Sequence, residues 1–156
     1  MNKKALRQFV QKTNKEGYGS GKTGHWIKEK DGSTTIPFAS GDFRLHDNFF
    51  GGEPYGGREV VFFQNAPVWL MVYYGKVIPG QDILEVYKVI QKALSNAPDE
   101  MPVRGPKFLE EGEFKYENEW EGELEEFSGE ESISRNGETV YNAEYMGGLV
   151  DQQKEE

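Results

Sequence analysis

The sequence predicts an α+β fold of two tandem pseudo-repeats, each a helix followed by an antiparallel β-meander, packed as one domain. Three observations carry this. Phe43–Gly75 returns, with a single-residue gap, as Phe114–Gly147, so that Phe43/Phe114, Phe49/Trp120, Gly51/Gly122, Gly57/Gly129, Glu59/Glu131, Val61/Ile133, Trp69/Tyr141 and Tyr73/Tyr145 hold matching places. A stretch with apolar residues at helical spacing precedes each copy. Within the copies, short runs of β-branched and aromatic residues are punctuated by turn residues. The units span about 3–75 and 82–147 of one domain, residues 1–150, and the wholly polar 151–156 reads as a disordered tail.

Taken in chain order, Lys3–Thr13 places Leu6, Phe9 and Val10 on one helical face behind Asn2 as a cap. His25–Lys30 and Thr34–Phe38 form a hairpin through Asp31-Gly32-Ser33, and Gly41–Asn48, Arg58–Gln64 and Val68–Tyr74 complete the first meander. Asp82–Leu94 is the second helix. Asp82 and Glu85 make a capping pair, Ile83, Val86, Tyr87, Ile90 and Leu94 form the apolar stripe, and Asn96-Ala97-Pro98 ends it. Glu113–Trp120, Glu131–Arg135 and Thr139–Met146 form the second meander, with Asn136-Gly137 as its clearest turn.

The second copy orients the first. Glu59–Phe63 and Val68–Tyr73 are apolar on both faces, whereas Ser132, Ser134, Asn142 and Glu144 alternate with Ile133, Tyr141, Ala143 and Tyr145. By equivalence Val61, Trp69, Met71 and Tyr73 point inward. The outward set Val60, Phe62, Leu70 and Val72 then needs cover from the second helix or from another copy of the chain, and exposure of Phe62 and Val72 contradicts the helix as that cover.

Strand parity also turns Glu59 and Glu131 inward, where an ionised carboxylate costs several kcal/mol unless paired or hydrogen-bonded. The hydroxyls of Tyr73, Tyr141 and Tyr145, the glycine turns before each strand, or Arg104 are the available partners. One reading is that each Glu secures its glycine turn. The other is that both line a cleft between the units, with the aromatic residues, suited to a cationic or polar-aromatic ligand. Pro102-Val-Arg104-Gly-Pro106 is a stiff mount for one guanidinium, which either neutralises one of these glutamates or anchors an anion.

Composition narrows the classes. The chain has 156 residues, a net charge of −9 and no cysteine, and it opens without a secretory leader pattern. Its longest apolar run, Pro67–Tyr74, is far shorter than the roughly 20 residues that span a bilayer. A cytoplasmic protein without membrane attachment is expected. Residues 1–30 carry eight Lys/Arg against two Glu, while 110–131 carry eleven Glu against one Lys, a surface that repels nucleic acid.

Gly17-Tyr-Gly-Ser-Gly-Lys22-Thr23 imitates a phosphate loop, but Glu16 stands where the pattern needs Gly, and the segment follows a helix. It reads instead as a flexible loop, with Tyr18 closing over a pocket. Two histidines in no ligating pattern, and serines outside any nucleophile motif, leave no expected metal, cofactor or covalent catalyst.

Asp47-Asn-Phe-Phe-Gly-Gly52, Gly57-Arg-Glu-Val-Val61, Pro67–Gly75, Arg104-Gly-Pro106 and Phe127-Ser-Gly-Glu-Glu131 together resemble a family of bacterial domains of unknown function. The resemblance runs from about Leu6 to Val150. It implies a module that stands alone or follows an XRE-type helix-turn-helix regulator, and it transfers no catalytic residue. By fold analogy, effector modules of this general architecture hold ligands between their halves.

The expected function is a small-molecule or partner-binding, sensor-like module with candidate ligand contacts at Tyr18, Glu59, Trp69, Tyr73, Arg104, Glu131, Tyr141 and Tyr145. An enzyme using Glu59 and Glu131 as acid and base, with Arg104 as anion anchor, is the first alternative. A protein-interaction domain, with a second copy of the chain as one candidate partner (a homodimer), is the second.

Overall fold

The computed structural model describes residues 1–18 and 26–153. The Gly19–Thr23 part of the glycine-rich loop, His25 and residues 154–156 lie outside the described residues; Asp151, Gln152 and Gln153 are exposed.

Helix α1 spans Lys3–Lys12, and the Asn2 side chain caps it, accepting from the backbone N–H groups of Lys4 at 2.8 Å and Ala5 at 3.3 Å. A π-helical turn, Thr13–Tyr18, continues from it. Five strands follow: β1 Ile27–Lys28, β2 Thr34–Ser40, β3 Phe43–Phe50, β4 Tyr55–Phe63 and β5 Ala66–Val77. Helix α2, Ile83–Ser95, is capped by Asp82, which accepts from Leu84 at 2.9 Å and Glu85 at 3.1 Å. Strands β6 Phe108–Glu111, β7 Phe114–Glu123, β8 Glu126–Arg135 and β9 Glu138–Leu149 complete the described chain.

The strands form one antiparallel nine-stranded sheet in the order β1-β2-β3-β4-β5-β9-β8-β7-β6. The two runs of strands meet along β5 and β9, where Tyr73 lies opposite Tyr145. Both helices lie on one face. Leu6, Phe9 and Val10 of α1 share a core with Leu45, Val61, Trp69, Met71 and Phe127, while Val86, Val89, Ile90, Ala93 and Leu94 of α2 pack with Tyr116, Ile133, Tyr141 and Ala143. Trp69, Met71, Val61, Ile133 and Tyr141 are fully enclosed, so the inward set read from the alternation of β8 and β9 is the buried one.

Cover for the outward set is a correction. α2 does not lie over Val60, Phe62, Leu70 and Val72; it packs on the inner face, where its apolar stripe meets Tyr116, Ile133, Tyr141 and Ala143. Val72 is 42% exposed and Phe62 is half-buried beneath the Arg44 guanidinium, 4.7 Å from its ring centre. The short edge strand β6 and the π turn are further elements that residue patterns did not announce.

Candidate functional site

β3 and β4 pair in a register that sets Asp47 directly opposite Glu59 on the inner face. Each is only 2% exposed. On β4's other neighbour, β5, Tyr73 lies opposite Gly57, two residues from the Met71 that faces Glu59. From there the Tyr73 hydroxyl donates to Asp47 Oδ1 at 2.5 Å. Tyr18, carried by the π turn, donates to the other oxygen, Asp47 Oδ2. Both lone-pair faces of Asp47 thus have tyrosine donors, whereas no described residue donates a hydrogen bond to the Glu59 carboxyl.

A cavity of about 620 Å³ opens above this pair. Asp47, Glu59 and Arg104 supply its ionisable floor, and Tyr18, Trp26, Phe49, Tyr55, Tyr73 and Tyr87 form much of its wall. The rings brace one another: Trp26 meets Phe49 edge-on at 5.8 Å, and Tyr55 meets Tyr87 edge-on at 6.4 Å.

Burial sets the protonation of the pair. It pushes the Glu59 carboxyl up to about 8, the neighbouring Asp47 charge adds to the rise, and Arg104 opposes it. Asp47 is also raised by burial, but its two tyrosine hydrogen bonds and Arg104 hold it back. Of the two, Glu59 therefore keeps the proton near neutrality. Burial, followed by the Asp47 charge, raises Tyr18 and Tyr73 well above the ordinary phenol value, so both remain donors.

The same arrangement occurs across the β5–β9 seam with different side chains. Asn118 lies opposite Glu131, and Tyr145 donates to Asn118 Oδ1 at 2.6 Å as Tyr73 does to Asp47. Here the glutamate is fully partnered. Glu131 Oε1 accepts from Arg104 Nε at 3.0 Å, from Arg104 Nη2 and from the Tyr141 hydroxyl at 3.2 Å, while Oε2 accepts from the Tyr116 hydroxyl at 2.5 Å. The Arg104 side chain is 12% exposed and that of Glu131 is wholly buried.

Gly105 makes this mount possible. A Cβ there would come within 2.8 Å of the Ala93 Cβ and the Tyr116 ring, and its backbone is tied at both ends, N–H to Tyr116 Oη at 3.1 Å and C=O to Asn118 Nδ2 at 2.8 Å.

The structure therefore gathers Tyr18, Glu59, Tyr73 and Arg104 at the cavity. Glu131 and Tyr141 form the closed network behind Arg104, joined to the cavity wall by a 2.5 Å contact between the Tyr55 and Tyr141 hydroxyls. Trp69 stands apart, stacked on Phe127 at 5.7 Å with its indole N–H donating to Leu124 O at 3.0 Å. Tyr145 is engaged by Asn118. Asp47, Tyr55, Trp26 and Tyr87 are cavity residues outside the expected set. For Asp47 a signal existed, since Phe43, Leu45 and Asp47 share a strand face. Among the described residues no group of three or more His, Cys, Asp or Glu is placed to hold a metal ion.

A family model for a domain of unknown function, DUF5680, matches residues 47–150. The chain belongs to the DUF5680 family. The DUF5680 match starts at Asp47 and takes in Glu59, Tyr73, Arg104 and Glu131, leaving α1, Tyr18 and Trp26 to the preceding segment. No curated protein and no solved structure matches the chain. No helix of the described residues is long and apolar enough to cross a membrane.

Proposed function

We propose that this DUF5680 protein is a binding module for a small molecule, seated in the cavity with its polar head on Asp47 and Glu59. One observation carries the reading: a preformed, aromatic-walled cavity of about 620 Å³ with two buried carboxyls side by side on its floor. That volume falls among small-molecule sites, which run from roughly 300 to 1,000 Å³. Purely structural carboxyls are normally paired off, as Glu131 is; Glu59 takes no hydrogen bond from a described residue and borders open space. A thermal-shift screen against a metabolite library, run on wild type and on Glu59→Gln, tests this. Hits should lose most of their stabilisation in the variant, and hits that stabilise both equally take Glu59 out of the site.

Acid–base catalysis is a second reading, favoured by a Glu59 carboxyl held near 8 beside Asp47. In that reading Asp47, rather than Glu131, is the partner of Glu59, because Glu131 and Arg104 already occupy each other. Finer features belong to the same proposal. Matching residues and the doubled Tyr–Asp/Asn–Glu arrangement support two pseudo-repeats meeting at the β5–β9 seam. The motif resemblance supports a sensor role in the bacterial cytoplasm alongside XRE-type regulators. Exposed Val72, Tyr74 and Met146 support an outer-face contact with a second copy or another protein.

A further inference from the structure

The geometry points to a cationic ligand: an organic ammonium or guanidinium whose charged head sits on Glu59 as the Arg104 guanidinium sits on Glu131. This inference rests on the proposed small-molecule site and specifies the chemistry of its occupant.

The protein supplies its own template. On β8, a glutamate opposite a tyrosine-bound amide is closed by a guanidinium through Nε and Nη2. On β4, the corresponding glutamate lies opposite a tyrosine-bound residue of nearly the same shape, but Asp47 replaces the amide with an acid, and cavity stands where the guanidinium would be. The first site thus has one more acidic group than the second and, among the described residues, lacks its dedicated cation. An anionic head placed there meets two carboxyls in a poorly hydrated setting. A cationic head meets two acceptors of the right charge.

The remaining lining agrees. Arg104 borders the cavity but is committed to Glu131, and Lys28 at its edge donates to Thr34 Oγ1 at 2.8 Å. The rings of Trp26, Tyr55, Tyr73 and Tyr87 line the cavity and supply aromatic area to the body of the ligand.

Binding also moves a proton. Facing Glu59 are Asp47 from β3, Tyr18 from the π turn, Tyr73 from β5 and Arg104 from the segment after α2. The tyrosines remain neutral and Arg104 remains charged, so of these described groups the carboxyl pair exchanges a proton near neutrality. An arriving cation replaces the proton on Glu59, which leaves to solvent, and the net charge of the site is unchanged. Affinity for a cation should therefore rise with pH until Glu59 is ionised without help, and then level off.

Three probes that share a phenylbutyl tail test the proposal by calorimetric titration: phenylbutylguanidinium, phenylbutanol and phenylbutyrate. The guanidinium should bind at least about tenfold more tightly than the alcohol, which corresponds to about 1.4 kcal/mol. The carboxylate should bind most weakly. In buffers of different ionisation enthalpy the guanidinium should release a proton below about pH 8, and the alcohol none. Glu59→Gln should abolish the preference for the cation while leaving the alcohol's affinity within about twofold. Asp47→Asn, which recreates the Asn118 side of the template, should retain a weakened preference. Equal binding of guanidinium and alcohol to wild type overturns the cationic assignment and leaves the cavity reading intact. Failure of all three probes to bind overturns the cavity reading and this inference with it.

Discussion

Glu59 and Glu131 face the same side of the sheet from β4 and β8, yet they are opposite cases of one physical problem. Glu131 is ionic and satisfied: removing its partner leaves a wholly buried charge with nothing to balance it. Arg104→Ala should therefore cost about 3–5 kcal/mol in chemical denaturation, the range for breaking a buried pair. Glu59 holds a proton instead, raised from an ordinary 4.5 to about 8. The sign follows from proton counting. Between those pH values the folded protein keeps a proton that the unfolded chain has released, so the contribution of Glu59 to stability is full below about 4.5 and declines as pH rises towards 8. The slope is at most about 1.4 kcal/mol per pH unit for one such group. Glu59→Gln should flatten it and make the variant more stable than wild type above neutrality, as read from denaturation midpoints at several pH values. Both glutamates and Arg104 were legible, because strand parity and a stiff proline-flanked mount speak directly to side-chain direction and charge. Which glutamate Arg104 would choose was not, since that depends on where the segment after α2 lands on the sheet.

The elements that carry the site differ in how plainly they announce themselves. Capped amphipathic helices did so, with Asn2 and Asp82 at the expected N-caps. The π turn did not, since six residues without an apolar period carry no signal; yet it delivers Tyr18 to Asp47. It is fixed by Asn14, whose Nδ2 donates to the carbonyls of Pro102 at 2.6 Å and Val103 at 3.1 Å, next to Arg104. Asn14→Ala leaves both buried carbonyls without that donor and should cost about 1–3 kcal/mol in unfolding experiments. Because the same contact joins Tyr18's element to Arg104's, that substitution should also weaken binding of any cavity ligand that survives in Tyr18→Phe. Strand β6 is hard to see for a different reason: it is four residues at a sheet edge, with Phe108 exposed, too short for an alternating run to stand out. The position of α2 differs from expectation because apolar outward residues on β4 and β5 ask for cover, whereas its stripe packs with Tyr116, Ile133, Tyr141 and Ala143 on the inner face.

At the scale of the whole molecule, a continuous antiparallel sheet places the two runs of strands side by side, with Tyr73 and Tyr145 meeting at the seam. That arrangement brings an open carboxyl pair and a closed glutamate opposite an amide into the same inner layer, sharing one arginine between them in charge though not in hydrogen bonds. Composition and internal similarity made the class of fold readable. The cavity was not readable, because it is formed by segments distant in sequence: the π turn, β1 to β5, α2 and the Arg104 mount. The most direct test of the central claim is carboxyl-carbon NMR of Glu59, assigned through Glu59→Gln, while phenylbutylguanidinium is added at neutral pH. The expected result is a resonance at the protonated position in the free protein that moves to the ionised position as the cation fills the cavity, with no such movement when phenylbutanol is added. A Glu59 resonance already ionised in the free protein, or one that ignores the guanidinium, contradicts it.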